Sequence, residues 1–340
     1  MKFGWRGVLG VAISAGCLYF AFRNVEWNDA LEHARTANYW LLLLAAACAT
    51  CMFPLRARRW RTILDPVAPK LPFGPLWRST AIGMMVNNVV PLRAGELARA
   101  FALTREVPSV SFSTALASLV VDRVFDAIVV LLLLAVSMVA AGFSGTTQLM
   151  GGYSITHLAI GFAMAPVAAL VALYSLVFFP NTLIRLYELV ARRVSPALEQ
   201  RGSEMLRRFA EGLSVLRTPL HFIAVFGWTL LHWLLQPFAF WLGLVALGIH
   251  VNVPWAAMLF VQGIIVLAVA LPSAPGFFGL FELGAAVSLG LFGVSRSDAA
   301  TWALVFHVAS FIPITLIGAY YSARLGLSVG QMESAGSGGA

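Results

Sequence analysis

Apolar stretches long enough to cross a bilayer, separated by short polar ones, set the first expectation for this chain. Gly7 to Phe22 is apolar, opens behind Lys2 and Arg6, and closes at Arg23-Asn24. No small-x-small cleavage site follows, so it is expected to stay as a first span and not leave as a signal peptide. A mixed-charge loop, Arg23 to Asn38, leads to a second apolar stretch from Tyr39 to about Leu55, after which Arg56, Arg58, Arg59 and Arg61 arrive together and mark a cytoplasmic loop with Lys70 and Arg78. Ser111 to Ala141, Ile155 to Phe179, His221 to Leu247 and Asp298 to Ser322 supply four further spans.

Two segments depart from that plan. Leu76 to Thr104 is broken at Asn87-Asn88-Val89-Val90-Pro91-Leu92-Arg93-Ala94-Gly95-Glu96, and Trp255 to Gly293 at Leu271-Pro272-Ser273-Ala274-Pro275-Gly276. In each, a Pro/Gly break (Pro91 and Gly95; Pro272, Pro275, Gly276 and Gly279) opens a helix whose first turns hold one carboxylate, Glu96 or Glu282. Paired broken helices in two halves of a membrane chain point to an inverted repeat with its substrate site where the breaks meet. The expected fold is therefore all-α: a polytopic bundle of about six full spans plus two interrupted helical hairpins, which either span the bilayer as two short helices or dip in and return. Its domain covers residues 1–325, and a Gly/Ser-rich tail, 326–340, is expected to be disordered.

Composition supports a membrane protein: 60% of the 340 residues are hydrophobic and 11% charged, against roughly 25% charged in soluble domains. The net charge of +8 fits positive-inside loops and anionic headgroups better than nucleic acid. Much of it falls in residues 181–219, where seven arginines and four glutamates accompany leucines at helical intervals; this reads as an amphipathic helical segment on the cytoplasmic surface. Loop charge puts both termini in the cytoplasm and the chain in the plasma (inner) membrane. Cys17, Cys48 and Cys51 fall in apolar segments, and His157, His232 and His307 show no metal spacing. They read as packed or hydrogen-bonded interior residues, with no metal and no cofactor implied.

The chemistry concentrates at the breaks. Arg93, Glu96 and Arg99 recur at i, i+3 and i+6, so they share one helix face. If Glu96 neutralises one arginine, the other guanidinium is left for a phosphate, with Asn87 and Asn88 adding amide donors. Asp122, Arg123 and Asp126 lie on one turn of a long helix; Arg123 reaches Asp126, and Asp122 needs an outside cation, for which Arg93 and Arg99 are candidates. Glu282 is isolated among Gly, Phe, Leu and Ala, so it must be paired, protonated or facing a wet cavity. Candidate substrate-binding residues are thus Asn87, Asn88, Arg93, Glu96, Arg99 and Glu282, with Asp122, Arg123 and Asp126 in support.

Asn87-Asn88-x-x-Pro91-x-Arg93-x-Gly95-Glu96-x-x-Arg99, Asp122-Arg123-x-x-Asp126, Leu271-Pro272-x-x-Pro275-Gly276-x-x-Gly279-x-x-Glu282 and the Arg-x-Arg-Arg-Trp60 group together resemble the lysylphosphatidylglycerol synthase membrane domain, the flippase-like UPF0104 family, over about residues 5–325. Phe277-Phe278 departs from the small residue often found there. The resemblance implies movement of an anionic phospholipid or a polyprenyl-phosphate-type lipid between leaflets. It does not extend to the aminoacyl-transferase domain of bifunctional members, so lysyl transfer is not expected of this chain. An intramembrane lipid-modifying enzyme, a membrane subunit for a separate lipid- or glycan-modifying enzyme, and a scaffold remain as alternatives. The residues leave the lipid, the energy source and the oligomeric state open.

Overall fold

The computed structural model describes residues 5–90, 94–140, 155–193, 218–249 and 253–328, with 195–196, 199–200, 202–204, 206–207 and 330–331. Pro91, Arg93, the charge-free stretch 141–154, residues 208–217 and, of the expected tail, 329 and 332–340 lie outside them. The described residues form helices and their connections, with no strand among them: α1 Trp5–Phe22, α2 Trp27–Thr36, α3 Tyr39–Leu64, α4 Phe73–Val89, α5 Gly95–Glu106, α6 Phe112–Ala140, α7 Ile155–Phe178, α8 Pro180–Ala191, α9 Pro219–Ala246, α10 Trp255–Val269, α11 Leu280–Gly290 and α12 Arg296–Arg324. Among the described residues α3, α9 and α12 are long and apolar enough to cross a membrane, and several shorter apolar helices accompany them.

Two boundaries differ from the expectation. The stretch between the first two apolar runs is helical as α2, which packs on α12 and is pinned by His33 Nδ1 at 2.9 Å from Asp298. More important for the site, α3 does not end near Leu55. It continues to Leu64 and carries Arg56 and Arg59 into the interior. Positive-inside counting places arginines in loops unless a buried counter-charge holds them, and here Asp122 and Asp126 on α6 supply it.

Both expected breaks are present. Val90 leaves the helical region as α4 ends, and α5 starts at Gly95. Between α10 and α11 the chain makes a 3₁₀ turn, Pro275–Phe277, with positive φ at Gly276 (70°), Phe277 (63°) and Gly279 (92°). Phe277 thus occupies a backbone region that an L side chain adopts only with strain.

The halves repeat one another. α3 packs α4, α6 and α12, as α9 packs α10, α12 and α6; α4 packs α5 and α12, as α10 packs α11 and α6; and α5 meets α6 as α11 meets α12. Exchanging α3–α6 with α9–α12 preserves all these neighbours. The central pair, α3 and α9, is antiparallel: Asn38 N–H donates to the Ala246 carbonyl at 2.7 Å near one end, and Arg59 donates to Thr229 Oγ1 at 3.2 Å towards the other. This is the packing an inverted repeat produces.

Because lipid tails are as apolar as leucine, helices in a bilayer associate through close packing and hydrogen bonds more than through hydrophobic burial. α4 and α5 approach so closely that a Cβ on Gly95 would lie 2.1 Å from the Gly83 carbonyl oxygen, and one on Gly318 of α12 would lie 2.3 Å from that of Ala81. Pro54, Pro237 and Pro313 interrupt the hydrogen-bond ladders of α3, α9 and α12.

Candidate functional site

The packing of α3, α5 and α6 gathers seven charges in one place. Arg59, with no exposed surface, donates to Asp122 Oδ1 from Nε and to Asp126 Oδ1 from Nη1, each at 2.7 Å. Arg99 lies 4.1 Å over the Trp60 ring and reaches Asp122 Oδ2 at 3.3 Å. Arg123 is 43% exposed and spans Glu96 at 2.6 Å and Asp126 at 3.1 Å. Trp233 of α9 also donates to Asp126 Oδ1, from Nε1 at 2.7 Å. Arg56 is held loosely: its Nη2 stands 3.9, 3.7 and 3.9 Å from Glu96, Asp122 and Asp126, and its Nε has no hydrogen-bond partner among the described residues. Four guanidiniums therefore face three carboxylates, leaving one positive charge unmatched.

The breaks are tied by different groups. Asn87 Oδ1 accepts the Gly95 N–H at 2.8 Å, joining α4 to α5 across the first. In the second, Glu282 accepts the Gly279 N–H at 2.6 Å on Oε2 and meets His307 Nδ1 at 2.7 Å through Oε1. His307 sits between Phe278 and Phe281, each ring centroid 4.4 Å away. Ser14 of α1 accepts the Ala274 N–H at 2.8 Å.

Arg56 opens onto a chamber of about 220 Å³ between the halves. Its wall is mostly apolar and aromatic, with Phe240, Phe277 and Phe281, and its polar positions include Asn88, Gln236, Gln262 and His307. Phe53, Gln236 and Ile314, each adjacent to one of the helix prolines, are also on the wall. A smaller hollow of about 160 Å³ brings Asn87 and Val90 of the first break against 270–274 and Phe277 of the second.

The breaks therefore meet, as the sequence suggested. Of the sequence-derived residues, Glu96, Arg99, Asp122, Arg123 and Asp126 come together, and Asn87 and Asn88 lie nearby, Asn88 donating from Nδ2 to Thr315 Oγ1 at 2.6 Å. Glu282 joins His307 instead of an arginine, and Arg93 lies outside the described residues. His232 has neither ring nitrogen hydrogen-bonded among the described residues, contrary to expectation. Sequence reasoning missed Arg56 and Arg59 as interior groups. The signal was their helical register: they share the buried face of Phe53, Ala57, Trp60 and Ile63, whereas Arg58 is exposed and lies over Trp228.

Comparison with known proteins places this arrangement among membrane proteins. A family model described as the lysylphosphatidylglycerol synthase TM region matches residues 7–318. Two proteins of Methanothermobacter thermautotrophicus, each named a UPF0104 membrane protein, are similar at 27% identity over 86% of this chain and 85% of the relative, and at 24% over 84% of each. Glycosyltransferase AglD of Haloferax volcanii is 23% identical over 96% of this chain but only 56% of its own length.

Proposed function

The chain belongs to the lysylphosphatidylglycerol synthase transmembrane-region family, and on that premise we propose that it moves an anionic, phosphate-bearing lipid between leaflets, the headgroup passing through the chamber while the tails stay in the bilayer. The observation that carries this reading is a chamber between two inverted halves with a loosely paired guanidinium, Arg56, on its wall. Charge inside a membrane protein is retained where it faces a cavity and serves transport, and repeat interfaces are where such proteins bind substrate.

A guanidinium suits a phosphate because its planar donors match the oxygens. Arg56 makes the first contact, using the cluster's unmatched positive charge. Arg59, Asp122 and Asp126 fix α3 against α6, Arg99 braces Asp122, and Glu96 and Arg123 close the cluster's exposed side. Arg93, which the sequence places at the first break, is proposed as a second phosphate contact. The membrane is proposed to be the plasma (inner) membrane with both termini cytoplasmic, because the Arg-rich segment 181–219 then lies inside.

Leaflet-specific lipid labelling in proteoliposomes tests the reading. Arg56→Ala is expected to slow lipid movement at least tenfold, while Arg58→Ala, an exposed neighbour on the same helix, leaves it near the parent rate. Equal rates for the two variants would overturn the role of Arg56; no movement by the parent chain would overturn transport.

The match to a protein named a glycosyltransferase favours one other reading, in which the chain presents a lipid to a separate lipid- or glycan-modifying enzyme. Under it, the chain alone leaves the lipid in place and unaltered, and a modified lipid appears only when the enzyme is added.

A further inference from the structure

The chamber's polar groups specify more than a phosphate. Gln262 is 2% exposed, and its Nε2 donates to the Trp233 carbonyl at 3.1 Å. That bond fixes which end of the amide is oxygen, and Oε1 is left with no hydrogen-bond partner among the described residues. Gln236, one helix away on the same wall, likewise has an unpartnered Oε1. A buried amide oxygen without a donor is costly to keep. Both residues stand on the chamber wall, each with its oxygen turned away from the open space, so a donor brought by whatever enters meets these oxygens as the amides turn towards it.

Charge narrows the donor. Among the described residues the chamber wall includes Arg56 and His307 but no carboxylate. The nearest acid beyond His307, Glu282, has no exposed surface and has one oxygen on His307 and the other on the Gly279 N–H. Asp122, Asp126 and Glu96 are held among four arginines. An ammonium entering here would meet guanidinium charge and no free anion. Hydroxyl groups carry donors without charge, and the flat walls of Phe240 and Phe281 suit the C–H faces of a ring or polyol. At about 220 Å³ the chamber is below the ~300–1,000 Å³ of sites for drug-sized ligands, so it holds one small unit.

We infer that the chamber selects a neutral, hydroxyl-bearing headgroup, one sugar ring or one glycerol, attached to the phosphate, with Gln236 and Gln262 accepting from its hydroxyls. This rests on the reading of Arg56 as the phosphate contact and deepens it. An aminoacylated headgroup carrying an ammonium is selected against.

Competition binding to the purified full chain in detergent micelles, followed by native mass spectrometry, tests it with short-chain probes that differ only beyond the phosphodiester. Phosphatidylmethanol is the control for phosphatidylglycerol and lysylphosphatidylglycerol, and the methyl phosphodiester of a short prenol is the control for its hexosyl phosphodiester. The glycerol or hexosyl probe, or both, is expected to bind at least fivefold more tightly than its methyl control, the order of one to two hydrogen bonds. Which of the two gains identifies the source of the hydroxyls. Gln262→Met and Gln236→Met are expected to erase the gain and leave the methyl probes within twofold. Gln236 is only half-buried, so its variant serves if Gln262→Met does not fold.

The inference is overturned if neither hydroxylated probe outbinds its control, if the gain survives both substitutions, or if the lysyl probe binds as tightly as phosphatidylglycerol. Weakening of the methyl probes by Arg56→Ala isolates the phosphate contact. Where that weakening occurs without a hydroxyl gain, only the present inference fails. Where it is absent, the phosphate reading fails and takes the inference with it.

Discussion

Arg59 answers two carboxylates at once and has no exposed surface. Removing one member of such a buried, hydrogen-bonded set strips its partners of their direct contacts and costs about 3–5 kcal/mol, whereas removing both members costs far less. Arg59→Met is therefore expected to lower unfolding stability in micelles by that amount, and Asp126→Leu in the same chain to restore part of it, as a double-mutant cycle would measure. Equal, additive losses would mean the two side chains do not depend on each other. The need for a cation beside Asp122 and Asp126 was legible from their shared helix face. Arg99, one of the two candidates, does reach Asp122; Arg59, which answers both carboxylates, was not legible, because a row of four arginines reads as a loop when charge is counted and as two faces only when helical register is applied. His307 with Glu282 shows the same limit: no spacing in the sequence links residues 25 positions apart on different helices.

The two breaks are elements whose position the sequence announces, since proline and glycine clustered within a few residues disfavour an ordinary helix. Their closure depends on individual glycines. At Gly279, with φ 92°, an added Cβ would lie 2.4 Å from the Ser14 carbonyl oxygen. Gly279→Ala thus combines backbone strain of about 1–3 kcal/mol with a steric clash, and its melting temperature in micelles is expected to fall accordingly. Gly290→Ala, where a Cβ meets nothing within 4 Å, should be neutral or slightly stabilising because alanine favours the helix. Matching losses at the two sites would remove close packing as the cause. The tie made by Asn87 was not legible. The sequence offered it as a free donor, whereas its oxygen is an acceptor for the Gly95 N–H.

Across the whole molecule, the all-helical class and the two interrupted segments were readable from apolar run lengths and Pro/Gly positions. The exchange symmetry was only suggested, because the repeated feature is packing and few of the residues that carry it recur. If the halves move against each other during transport, the hollow joining the breaks must change shape. Val90→Cys with Leu271→Cys, both on that hollow, in a chain lacking Cys17, Cys48 and Cys51, should be joined by a short bifunctional thiol reagent. The joined protein is expected to stop moving lipid and to recover when a cleavable reagent is cut. Unchanged movement by the joined form would show that the breaks stay together throughout.

α1 lies outside the exchanged halves and fastens the second break: Ser14 holds the Ala274 amide, and Gly10 lies against the Ser273 backbone. The first break is fastened from within its own hairpin, the second by a helix that comes earlier in the chain. Their amide protons should therefore exchange with deuterium by separate routes. That of Gly95 exchanges when its own hairpin opens, and that of Ala274 when α1 lifts away. Ser14→Ala is expected to speed exchange at Ala274 alone, making α1 a latch on one side of an otherwise two-sided device.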